Sequence, residues 1–436
     1  MTMTKGWVLG WVGLGLVVGG CGGAQESDAP PGEESSAVSE LRSAEPRVLA
    51  SETEAGLAAR AEQALGFDFL HALPADENLA LSPHSLNSAF AMLTDAAEGE
   101  TLTELQQVLH FGEVGEPFHR SQDALQLALA KRNRDPVDLP DQKTDAQVLT
   151  ESNDLWMRED APPQASYLDT LARYYGAGVH LADFGENPEG ARRAINDKIS
   201  TDTRALIPEL IPEGAIDPLT VAVLTNALYF KAPWASKLRE VDPTEFHLLS
   251  GATKRVDTLV GRSSLPFYQG EGFVSVALPY FGTELEMLLV VPDAGTYEDV
   301  RTALSAPVLS QIVSERQAER IDLQLPKFSI RSTIPAKKLL EGLGLGLVFK
   351  RDAELPKLES PLFPDVFVSD VLHQATVAID EVGTEASAAT AIIAAGLSSS
   401  DPEPEPRVVN VDRPFSFMIR DNPTGSVLFV GQVVEP

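Results

Sequence analysis

The residues able to do chemistry in this chain are few and scattered. Its one cysteine is Cys21, and its seven histidines stand at 71, 84, 110, 119, 180, 247 and 373, without the spacing of metal ligands. A single cysteine makes no intrachain disulfide and no thiolate metal site. There is no Gly-x-Ser-x-Gly elbow, no His-Glu-x-x-His helix to hold zinc, and no Gly-rich phosphate loop ending in Lys. A Ser-His-Asp triad gathered from distant positions stays open, because triads are recognised by geometry and not by order. Nothing in the pattern supports one.

Cys21 is placed for a different reaction. "MTMTKGWVLGWVGLGLVVGGC" has a basic start at Lys5, an apolar run from Trp7 to Val18, and Gly19-Gly20 before the cysteine. That is the layout of a secretory signal, residues 1–20, too short to span as an ordinary transmembrane helix. Val18-Gly19-Gly20-Cys21 resembles the lipobox of bacterial lipoproteins, which implies that Cys21 becomes the lipid-modified first residue. Gly22 in place of Asp implies sorting to the outer membrane, hence an exported, cell-surface protein. The plainer alternative is a signal peptide with an incidental cysteine.

A second stretch fits no ordinary category. "EVGTEASAATAIIAAGLSSS" runs from Glu381 to Ser400 and, from Ala386 on, carries no charge and no Pro. It lacks the solvating residues of a loop, the bulk of a core strand and the apolar stripe of a helix. As a strand it would turn Thr384, Ala386, Ala388, Thr390, Ile392 and Ala394 to one side, all small or β-branched. Glu385, Ser387 and Ala389 would face the other way.

The elements that must hold these sites read as follows. Residues 22 to about 55 are rich in Gly, Pro, Ser and Glu and read as a flexible tether, with Cys21 at its head. The remainder, 56–436, reads as one large domain. Segments such as "AGLAARAEQALGFDFLHAL" and "ARRAINDKISTDTRALI" have helical apolar spacing, while "LTVAVLTNALYF", "LEMLLVVP", "ATVAIDEV" and "SVLFVGQVV" read as strands. Helices crowd the first half and strands the second, an α+β arrangement. The formal charge of −30 and the absence of any Lys/Arg-rich run argue against a nucleic-acid partner.

Ordered motifs along 56–436 resemble the serpin family of serine protease inhibitors. They are "NLALSPHSLNSAFAMLTDAAEGETLTELQQVLHF", "SNDLWM", "INDKISTDTRALIPELIPEGAIDPLTVAVLTNALYFKAPW", "VSDVLHQATVAIDEVGTEASAAT" and "DRPFSFMIRDNPTGSVLFVGQV". Ala232, Ser416 and Asp197 depart from the family's usual Gly, aliphatic and Trp. The resemblance implies helices packed around a large central mixed β-sheet, with additional smaller sheets and an exposed reactive-centre loop at about 381–407. It implies a hinge at Glu381, Gly383, Thr384, Glu385, Ala386, Ser387, Ala388, Ala389 and Thr390 that inserts as a strand once the loop is cut. In the family the cut follows the seventeenth residue counted from the Glu before the hinge, here Leu397, giving Leu397–Ser398 with a register uncertain by one or two residues.

Leu at that position suits chymotrypsin-like or subtilisin-like serine proteases and some elastase-like ones. The resemblance also implies that Ser82, Ser85, Asn226 and His373 form a buried polar shutter beneath the sheet, the competing role for His373 being a catalytic base. Trp234 matches the family's Trp at the breach where the loop enters. The protein is then expected to be a monomeric inhibitor, not an enzyme, needing no cofactor and no metal. The alternative is a serpin-fold binding protein that never inhibits.

Overall fold

The computed structural model describes residues 38–139, 142–384 and 405–436. Local signals open its helices. Ser82 caps helix Pro83–Thr94 by accepting the Ser85 amide at 3.1 Å, and Pro83 sits in the first turn, where a missing N–H costs nothing. Asn187 caps Pro188–Asp202 in the same way through the Gly190 amide at 3.0 Å. Ahead of both lies helix Gly56–Ala72, with nine buried residues and packed on Pro83–Thr94.

Seven strands form the first sheet, in the order Val38–Leu41, Val179–Ala182, Val148–Arg158, Ala222–Pro233, Gly383–Thr384, Val368–Ile379 and Phe328–Pro335. Ala222–Pro233 is buried at every position but Lys231. Its Val223 and Ala227 pack with Ile195 and Ile199 of helix Pro188–Asp202, while Phe230 and Ala232 pack against the second sheet. Covered on both faces, it reads as an apolar run broken only by Thr225, Asn226 and Lys231. Phe328–Pro335, at the edge, alternates buried and exposed instead.

The second sheet has nine strands, eight along one path and Arg239–His247 paired beside it with Thr253–Gln269. Its inner strands Leu285–Pro292, Phe415–Asp421 and Val427–Val433 are buried throughout. A two-stranded pair, Val137–Leu139 with Gln142–Thr144, lies apart. The core between the two large sheets gathers Phe230, Trp234, Tyr280, Phe328, Phe415 and Phe417. Among the described residues no helix is long and apolar enough to cross a membrane.

The tether reading of 21–55 is corrected at its C-terminal end. Val38–Leu41 pairs antiparallel with Val179–Ala182 and caps the edge of the first sheet. Beyond it Arg42 donates to the Gly176 carbonyl at 2.7 Å and Ser43 to Asp169 at 2.5 Å. Arg47 Nε and the Ala50 amide, each at 2.6 Å, converge on the fully buried carboxylate of Asp123. A Cβ on Gly178 would meet the Leu41 carbonyl oxygen at 2.6 Å, so the surface beneath this strap accepts it only with glycine there. The strap docks through backbone pairing, ion pairs and the scattered apolar contacts of Val38, Leu41, Val48 and Ala50, which leave no apolar run to read. The folded body therefore begins near residue 38, not 56.

Candidate functional site

Strands Ala222–Pro233 and Val368–Ile379 run parallel, and their ladder includes His373↔Asn226 and Gln374↔Ala227. Further on, Gly383–Thr384 lies between them: Thr384 pairs with Ala232 on one side and with Ile379 on the other. Neighbouring strands stand about 4.8 Å apart, so two backbones adjacent at Ala227 are separated by roughly twice that at Ala232. The sheet holds a wedge, and Gly383–Thr384 occupies its wide end.

The sequence around the wedge explains this entry. Asp380 turns the chain, its carboxylate accepting the amides of Val382 at 2.8 Å and Gly383 at 3.0 Å. A Cβ on Gly383 would lie 2.1 Å from the Ala232 carbonyl oxygen, so only glycine passes. Trp234 fastens the turn: its amide donates to the Val382 carbonyl at 2.8 Å and its indole N–H to that of Asp380 at 3.0 Å. Its ring stacks on Tyr280 with centroids 4.6 Å apart.

Thr384 is 1% exposed and shares a 2.7 Å hydrogen bond with the Tyr280 hydroxyl. Burial pushes that hydroxyl's pKa up, so it stays protonated. Glu381, just before the turn, meets Lys327 at 3.1 Å, and Lys327 reaches Glu240 at 2.7 Å. The backbone amide of Glu381 and then Lys327 hold its carboxyl below the ordinary range.

At the narrow end of the wedge the four expected polar residues come together. The Ser82 amide donates to His373 Nε2 at 3.0 Å, which makes that nitrogen the acceptor; Nδ1–H then points to Asn226 Oδ1 at 3.2 Å. Asn226 donates to the Ser85 carbonyl at 2.5 Å and to the side-chain oxygen of Asn153. Burial lowers the His373 pKa to about 4, so the ring is neutral at neutral pH. Both ring nitrogens are engaged and the residue is 1% exposed, which leaves no lone pair facing solvent for a catalytic base. The Ser85 hydroxyl is buried without a hydrogen-bond partner, so Ser85 serves this cluster through its backbone.

Cys21, Glu385, Ala386, Ser387, Ala388, Ala389, Thr390, Leu397 and Ser398 lie outside the described residues. Sequence reasoning missed Tyr280, which receives Thr384, and Asn153, which extends the polar cluster. It also missed His84, Glu62 and Glu151, which the cluster leads to. The available signal was Ser-Pro-His-Ser: an ionisable ring inside an apolar helix face must find buried partners.

The chain matches a family model described as serpin (serine protease inhibitor) over residues 60–436. It is 29% identical over 430 residues to an uncharacterized serpin-like protein of Thermococcus kodakarensis, covering 97% of this chain and 96% of that one. It is 32% identical over 378 residues to leukocyte elastase inhibitor A of Mus musculus, covering 82% and 93%. The crystal structure of tengpin, a thermophilic serpin, in its native state superposes with a TM-score of 0.72 at 24% identity. That match covers 91% of this chain and 97% of tengpin.

Proposed function

The chain belongs to the serpin family, and on that premise we propose that it inhibits serine proteases as a suicide substrate cleaved at Leu397–Ser398. The observation that carries this reading is the wedge. The residues leading into the 385–400 segment already supply the first two positions of a strand between Ala222–Pro233 and Val368–Ile379. In the proposed reaction the protease serine attacks the Leu397 carbonyl, the new ester holds Leu397, and the Ser398 amine leaves. Entry of the following residues behind Thr384 then carries the acyl-enzyme away before water completes the second half. Leu397 in the primary pocket favours chymotrypsin-like and subtilisin-like targets. The mouse relative named as an elastase inhibitor supports elastase-like ones as well. The protein is further proposed to be a monomer, exported and held at the outer membrane by a lipid on Cys21.

Mixing the soluble domain with chymotrypsin or subtilisin should give a covalent complex that survives a denaturing gel. Nicking the loop alone should raise the melting temperature, because the inserted segment completes the sheet. Cleaved protein without complex, melting where the intact protein melts, would instead select the non-inhibitory binding protein.

A further inference from the structure

The buried polar cluster continues past Asn153 into three ionisable side chains. Asn153 donates to Glu151 Oε1 at 2.8 Å, and the same oxygen lies 2.8 Å from His84 Nε2. The His84 ring is 1% exposed, and its Nδ1 meets Glu62 Oε1 at 2.7 Å. The other oxygen of Glu62, itself fully buried, accepts the Ser426 hydroxyl at 2.5 Å. Burial opposes a charged imidazole, yet Glu151 and Glu62 outweigh it and raise the His84 pKa well above the ordinary value. His84 in turn overcomes the burial of Glu151 and keeps its carboxyl low. These two carboxylates are the charges that face His84. Ser88, Asn153, Asn226 and the neutral His373 beyond them carry none, while the charged groups across the cavity beside Glu151 are paired with one another, Lys198 with Asp154 and Arg42 with Glu40.

The triad spans a mechanical boundary. Val148–Arg158 is registered on Ala222–Pro233 through ten consecutive pairs, so the two strands move together when Ala222–Pro233 leaves Val368–Ile379. Helix Pro83–Thr94, which bears His84, lies beneath both strands and touches them, and on its other side packs on Gly56–Ala72 and on the second sheet's Val427–Val433. The Glu62 contact lies behind this boundary and the Glu151 contact crosses it. The crossing contact is also the poorly aligned one, an ion pair without a good hydrogen bond.

We propose that Glu62, His84 and Glu151 form a proton-operated latch between the moving half of the first sheet and the helix behind it. It is closed while the imidazole carries both protons and released when it loses one. It rests on the reading that the sheet parts at the wedge. A neutral ring can donate to only one carboxylate, and the other becomes a buried, unpaired anion. Glu62 is sealed in. Glu151 borders a polar cavity of about 170 Å³, also lined by Ser88, Gln122, His180 and Lys198, and can gain solvent by leaving with its strand. For a group whose folded-state pKa is raised, the stabilisation is complete below the unfolded value and lost as pH rises through the folded one. Alkaline solution should therefore loosen the sheet.

Amide hydrogen exchange on the full mature chain from about pH 6 to about pH 10, corrected for intrinsic rates, tests this. Protection in Val148–Arg158 and Ala222–Pro233 should fall roughly tenfold or more across the alkaline limb, a ratio equivalent to one pKa unit. Leu285–Pro292 should hold. Glu151→Gln should lower protection already at neutral pH and flatten the profile. Should His84→Gln fold poorly by stranding Glu62, the pair His84→Gln with Glu62→Gln removes both charges and should give the same flat profile. A wild-type slope persisting in Glu151→Gln, or a slope shared evenly by both sheets, overturns the latch. A protein that traps no protease but keeps the localised slope would lose the inhibitor reading and retain the latch.

Discussion

Thr384 concentrates the argument at the scale of single residues. It is already inside, hydrogen-bonded to Tyr280 and packed between two sheets. Replacing it with Arg puts a charge where Thr384 finds only a neutral hydroxyl, and an unpaired buried charge costs several kcal/mol. Thr384→Arg should therefore expel the segment after Asp380 from the wedge. Trp234 fluorescence should report this, because its indole bonds Asp380 and stacks on Tyr280. Cleavage by chymotrypsin should continue while the covalent complex disappears. Unchanged fluorescence and complex yield would show that Thr384 does not lead the insertion.

Elements differ in how plainly the sequence announces them. Ser82-Pro83 and Asn187-Pro188 declare their helices, since a capping side chain followed by proline has few other uses. Ala222–Pro233 was legible as a run of apolar residues, and the four polar residues at its foot were legible only by resemblance. The strap was not legible. Its partners are Asp123, 76 residues from Arg47, and the edge of Val179–Ala182, and neither leaves a periodic trace. The latch was hidden for the same reason, with His84 and Glu62 22 residues apart.

The strap carries its own prediction. Deleting residues 38–50 strips the buried Asp123 carboxylate of both Arg47 and the Ala50 amide, a loss of about 3 kcal/mol or more. The melting temperature should fall by several degrees. Asp123→Asn in the shortened chain should recover part of the loss, because an amide is cheaper to leave unpaired. Identical melting of full and shortened chains would reduce the strap to a passive passenger.

At the scale of the molecule, the body's start near Val38 separates two jobs in the N-terminal region. Residues from 38 belong to the fold, whereas the proposed anchor is a lipid on Cys21. Cys21→Ser should therefore leave the body's melting unchanged while blocking lipid attachment and release the protein from membranes. Membrane fractionation with metabolic acyl labelling checks this, and a Ser variant that stays with membranes defeats the anchor.

The wedge has one more consequence. Between Ala227 and Ala232 on one strand, and between Gln374 and Ile379 on the other, no direct ladder pair joins the two backbones among the described residues. Such edges accept any extended chain of the right shape. A molecule filling the opening with its own segment does so at a rate independent of concentration. One filling it from a neighbour does so in proportion to concentration. The balance between those two kinetic orders, set by how crowded the molecules are, decides whether they persist singly or thread into one another.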